Sequence, residues 1–207
     1  MPTVPAMAPS APVVIVLAAG LGRRFRASGG RVHKLDAPLD GQPVLWHAMR
    51  AVQAAGLDCH VVREAPGGGM GDSIAAGVRA TVGAGGWLVL PGDLPLISPR
   101  SLWRVAAALA PHKAVVPYWN GRQGHPVGFG AECFGALARL EGEAGAAPVV
   151  RALRERGAVR ELRLDDDPGI VLDVDTVDDL ARAQALLRAR GGRGLCEEIQ
   201  EEAHGEH

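Results

Sequence analysis

Apolar, β-branched runs alternate along this chain with stretches that are apolar on one side only. Residues 13–17 (Val-Val-Ile-Val-Leu) carry no polar alternation, which predicts a strand buried on both faces. Residues 59–62, 87–90, 114–116 and 171–174 predict further strands. Between them the spacing predicts a helix over 44–55, ended by Gly56, and one running to about residue 82 from a cap at Asp72 or Ser73. Ser98-Pro99 joins a capping hydroxyl to a proline at the first helical position. It opens a helix with Leu102, Val105, Ala106 and Leu109 on one side. Residues 132–140 and 148–156 also read as helices. Thr176 caps a last helix bearing Val177, Leu180, Ala183 and Leu187, with Asp179 at the capping-box position. The alternation implies an α/β sandwich around a mostly parallel sheet. Ligands of such sheets sit beyond the carboxyl ends of the strands, which singles out the loops after Leu17, Leu90 and Val174.

Composition narrows this picture. A chain of 207 residues, 47% apolar and 22% charged, suits one domain with tails and can bury a core. No apolar run reaches the roughly 18–20 residues of a membrane span. Residues 1–12 lack the pattern of a secretory signal, and their proline spacing predicts a disordered lead-in. Residues 13–190 form the expected domain, and 191–207 a glycine linker with an acidic tail. Cys59, Cys133 and Cys196 are odd in number, widely spaced and form no CxxC. That excludes a disulfide framework or a zinc knuckle and implies a reducing, cytoplasmic setting. The net charge of −1 gives no nucleic-acid footprint. Five glutamates lie beyond residue 194, so residues 1–194 carry +4, which suits a small anionic ligand.

Five segments carry candidate chemistry. Residues 17–24 (Leu-Ala-Ala-Gly-Leu-Gly-Arg-Arg), with Lys34 beyond, offer backbone N–H groups and positive charge to a phosphate. Alone, a glycine turn after a strand is more often a plain connection. No Gly-Lys-Ser/Thr follows, and Phe25 stands where a dinucleotide fingerprint needs glycine. Lys34 and Lys113 are the only lysines, against twenty arginines. In Pro91-Gly92-Asp93-Leu94-Pro95, Asp93 follows a buried strand end, as a hard magnesium ligand or as ordinary turn chemistry. Alternation at the end of the strand over 171–174 puts Asp173 and Asp175 on one face, and one of them can share a metal with Asp93. Gly124-His125-Pro126 places an imidazole at a turn, for a ligand or for structure alone. The glycine-rich approach to Ser73 can close over a base or phosphate, or serve as a loose helix cap. Trp46, Trp87, Trp103 and Trp119 fit a core or an acceptor pocket equally.

Taken in order, these segments resemble the MobA-like NTP transferases, most of all the cytidylyltransferases that act on molybdopterin. The pattern L-A-A-G-x-G-x-R, a lysine, G-M-x-x-S, G-D-x-P, G-H-P and D-x-D-T is met at residues 17–24, 34, 69–73, 92–95, 124–126 and 173–176. The resemblance implies a Rossmann-like three-layer nucleotidyltransferase sandwich. It implies nucleotide contacts from Leu17, Ala18, Ala19, Gly20, Gly22, Ser73 and Gly92. Arg24 and Lys34 would hold the triphosphate, Asp93 and Asp175 would hold Mg²⁺, and His125 would face the acceptor. One departure stands out: the family's lysine follows its arginine within about five positions, yet Arg24 and Lys34 are ten apart, with an insertion over 27–33. The implied reaction moves CMP from CTP, or another NTP, to a molybdopterin-type phosphate monoester. The implied partners are a molybdoenzyme or its chaperone, with no nucleic acid and no membrane. The alternatives are transfer to a sugar or polyol phosphate, and a non-catalytic carrier of the molybdopterin cofactor.

Overall fold

The computed structural model describes residues 11–204, with side chains to residue 190. Almost all of the expected lead-in over 1–12, and the side chains of the expected tail over 191–207, lie outside the described residues. In chain order the elements are β1 (Val13–Leu17), α1 (Arg23–Ala27), a hairpin of β2 (Pro38–Leu39) and β3 (Gln42–Pro43), α2 (Val44–Ala54) and β4 (Cys59–Val62). Next come α3 (Met70–Ala80), β5 (Gly86–Pro91), α4 (Pro99–Leu109), β6 (Ala114–Trp119), β7 (Arg122–Gln123) and β8 (Val127–Gly130). The last are α5 (Phe134–Leu137), α6 (Ala147–Glu155), β9 (Val159–Arg163) and α7 (Val177–His204).

Seven strands form the main sheet, in the order β4-β1-β5-β8-β6-β7, with β9 on the other edge of β6. β1 is parallel to both β4 and β5, and β9 is parallel to β6. β8 runs antiparallel between β5 and β6. Alternation along the strands splits the core in two. Val14, Val16, Leu88, Leu90 and Val115 pack under α2, α4 and α7. Ile15, Val89, Val116, Trp87 and Phe129 pack under α3, α5 and α6. The result is the three-layer α/β sandwich, with both faces covered as a largely parallel sheet requires. Among the described residues, no helix is long and apolar enough to cross a membrane.

The structure departs from the pattern at four places. α3 begins at Met70, capped by Gly69. Asp72 sits at the third helical position and accepts from the Gly69 N–H at 3.1 Å. The helix expected over 132–140 shrinks to a 3₁₀ turn and the single turn of α5. Residues 171–174 are not a strand. Val174 is fully buried, but its N–H donates to the Asp93 carbonyl and that of Val171 to Pro168. An apolar run reports burial, and here the buried backbone is satisfied by loops rather than a ladder. The seventh strand of the sheet is instead β9, whose sequence Val-Arg-Glu-Leu-Arg suits an exposed edge.

Candidate active site

A cleft of about 450 Å³ opens at the carboxyl ends of β1 and β5. The two strands are tied together there: Gly92 N–H donates to the Leu17 carbonyl at 2.9 Å. A Cβ at Gly92 would stand 3.0 Å from that oxygen and 2.9 Å from Leu45, so only glycine lets the two strand ends meet. Asp93 follows immediately and points its carboxylate at Lys34.

Lys34 is the centre of the site. Its ammonium lies 2.5 Å from Asp93 Oδ2 and 2.8 Å from Asp175 Oδ1, and all three side chains are largely buried. Burial alone would lower the lysine pKa, but the two carboxylates outweigh it and raise it. Arg24 approaches from solvent and pairs with Asp175 Oδ2 at 2.7 Å. Asp173 lines the same cleft, and its acid is pushed up by burial and by the charges of Asp175 and Asp93.

The segment between Arg24 and Lys34 is folded down rather than looped out. Phe25 buries its ring in the core, and Ser28 Oγ accepts from the Val177 N–H at 3.0 Å. His33 Nδ1 accepts from the Leu35 N–H, so the proton sits on Nε2, which donates to the Gly20 carbonyl at 2.7 Å. The inserted segment is therefore fastened to the glycine loop one residue before Lys34.

The cleft gathers Leu17, Ala19, Gly20, Arg24, Lys34, Ser73, Asp93, His125 and Asp175. Ala18, Gly22 and Gly92 do not line it. The Ala18 N–H is spent on the Val62 carbonyl, and Gly22 caps α1 with a φ of 60°. Ser73 is buried, and its hydroxyl donates to the Gly69 carbonyl at 3.1 Å. None of the tryptophans lines the cleft: Trp87 is core, while Trp46 and Trp103 are exposed on the outer helices. Glu143 does line it, and no sequence motif marks that residue. It is delivered by Asp72, whose Oδ2 also accepts from the Gly142 N–H at 2.9 Å.

Asp93 Oδ1 is buried and has no hydrogen-bond partner among the described residues. Such a carboxylate oxygen, beside Asp175, fits a hard divalent cation. Among the described residues no three acidic, His or Cys groups form a closed metal cluster, so a phosphate ligand and water would complete the shell. His125 is held by its backbone N–H on the Ile170 carbonyl at 2.9 Å. Its Nδ1 is buried without a partner, and burial lowers the ring's pKa, leaving a neutral imidazole.

Comparison with known proteins agrees with the fold. Residues 14–159 match the family described as the MobA-like NTP transferase domain. The chain is 32% identical over 186 residues to the bifunctional protein GlmU of Kineococcus radiotolerans, covering 78% of this chain and 35% of that protein. It is 46% identical over 43 residues to a 2-C-methyl-D-erythritol 4-phosphate cytidylyltransferase of Chlorobaculum tepidum, covering 21% of this chain and 17% of that one. The chain thus spans about a third or less of these curated relatives. The crystal structure of Rv0371C from Mycobacterium tuberculosis, a complex with manganese, superposes with a TM-score of 0.66 at 26% identity, over 85% of this chain and 99% of that one.

Proposed function

Because the chain belongs to the MobA-like NTP transferase domain family and is a nucleotidyltransferase, we propose that it transfers CMP from CTP to a phosphate monoester of the molybdopterin type and releases pyrophosphate. The observation that carries the reading is the meeting of Lys34 with Asp93 and Asp175 beneath the glycine loop. An oxygen of the acceptor phosphate forms a bond to the α-phosphorus of CTP, and the bond from that phosphorus to the β-phosphate oxygen breaks. The acceptor is already an anion near neutral pH, so the step needs no general base. Arg24 and Lys34 hold the departing pyrophosphate, and positioning and charge neutralisation supply the rate. Asp93 and Asp175 would hold a divalent ion, Mg²⁺ in our reading, which when bound neutralises charge on the phosphates.

The cytidylyl choice is supported by the Leu-Ala-Ala-Gly and Gly-Asp-Leu-Pro segments and by the cytidylyltransferase among the relatives. That relative also favours a second reading, in which the acceptor is a polyol phosphate. Calorimetric titration of CTP, GTP, ATP and UTP with Mg²⁺ tests the assignment. CTP is expected to bind most tightly, and Asp93→Asn to weaken it at least tenfold with the fold intact. Equal binding of all four nucleotides, or an unaffected variant, would defeat it.

A further inference from the structure

The cleft has a second lobe. It encloses about 330 Å³ and shares Leu17, Met70, Pro91, Gln123 and His125 with the first. That volume lies within the range of small-molecule sites, about 300–1,000 Å³. Beyond the shared residues the wall is apolar, with Ile74, Val89, Val127 and Val150, and it ends at Arg151 and Arg154. Ala147, Val150, Arg151 and Arg154 recur at three- and four-residue spacing, so one face of α6 lines the lobe, apolar first and then basic.

The two lobes differ sharply in charge. Asp93, Asp173, Asp175 and Glu143 line the first, opposite Arg24, Lys34 and Arg122. Among the described residues, no carboxylate lines the second. Arg154 is engaged, with Tyr118 Oη at 2.9 Å and Glu161 at 3.5 Å. Arg151 makes no hydrogen bond or ion pair among the described residues. At the junction stands His125, whose buried Nδ1 has no partner.

We propose that this second lobe binds the body of the acceptor: a phosphate monoester with a flat or apolar frame and a second anionic group remote from the phosphate, which pairs with Arg151. The proposal rests on the nucleotidyl-transfer reading and narrows its acceptor. The reactive phosphate lies at the junction, against His125 and within reach of the nucleotide. The frame lies on the valine and isoleucine wall. A polyhydroxylated sugar there would leave hydroxyl groups without partners, which the wall penalises. The far anion meets a guanidinium that has no partner among the described residues.

The test uses the full chain loaded with Mg²⁺ and α,β-methylene-CTP. Three probes are titrated: 1-naphthyl phosphate, the same compound with a carboxylate on the distal ring, and glucose 1-phosphate. The carboxylated aryl phosphate is expected to bind at least tenfold more tightly than either of the others. Arg151→Gln should erase that advantage without changing affinity for the nucleotide analogue, and Arg151→Lys should restore part of it. Glucose 1-phosphate binding as tightly as the aryl phosphates, or an advantage that survives Arg151→Gln, would overturn the acceptor assignment alone. Failure of the nucleotide analogue to bind in the first step would overturn the transfer reading itself.

Discussion

The neutral His125 ring has a consequence for stability. Burial lowers its pKa below the usual 6.5, so below that pH the unfolded chain takes up a proton that the folded chain refuses. Stability is therefore lost as pH falls from 6.5 toward the lower folded value, by up to about 1.4 kcal/mol per pH unit for one proton. Between pH 6.5 and 5.5, wild type should lose more stability than His125→Gln, read by urea denaturation at each pH. Parallel losses in the two proteins would mean that the folded ring accepts the proton. Lys34 works in the opposite sense. Its charge is favoured by Asp93 and Asp175 despite burial, so it stays an ammonium throughout the physiological range.

The element that decides whether Lys34 reaches the site is the inserted segment. The latch is His33, through its 2.7 Å bond to the Gly20 carbonyl. Removing it in His33→Ala should weaken CTP binding by roughly 5–30-fold, the factor for one or two kcal/mol. The melting temperature should change little, because Phe25 and Ser28 still anchor the segment. His33→Gln, which can donate to the same carbonyl, should recover part of the affinity, and equal calorimetric titrations of all three proteins would rule the latch out. In the sequence this segment appears only as a departure in spacing. A side-chain bond from an imidazole to a carbonyl thirteen residues away leaves no periodic trace. Elements with a strong pattern were legible: β1, β4 and α2 from their apolar positions, and α4 from Ser98, which accepts from the Ser101 N–H as a cap should. β8 was not, because its Val-Gly-Phe-Gly is short and half glycine. The apolar run at 171–174 reads as a strand yet folds as a loop, because burial and pairing give the same local signal. The second lobe was hidden for a related reason: Arg151 and Arg154 acquire meaning only once α6 is placed against the sheet.

At the scale of the whole molecule, three loops far apart in sequence are stitched by backbone bonds. Val174 N–H donates to the Asp93 carbonyl, and His125 N–H to the Ile170 carbonyl. Gly124 permits the second contact, because a Cβ there would stand 2.7 Å from the Ile170 oxygen. Gly124→Ala should therefore push the 170–175 segment outward. We expect a lower melting temperature together with weaker Mg²⁺-dependent CTP binding. If the nucleotide affinity is unchanged, Asp175 is held by α7 alone.

Asp175 lies beyond the span 14–159 that the family match covers, yet it shares Lys34 with Asp93. During synthesis the chain emerges amino end first, so Lys34 and Asp93 exist well before their third partner does. A nascent chain that has folded its sheet thus holds Lys34 beside one of its two carboxylates, and the other arrives just ahead of the last helix. The ion-paired cluster of the cleft is in this sense a late event on the ribosome, complete only once Asp175, two residues before α7, is in place.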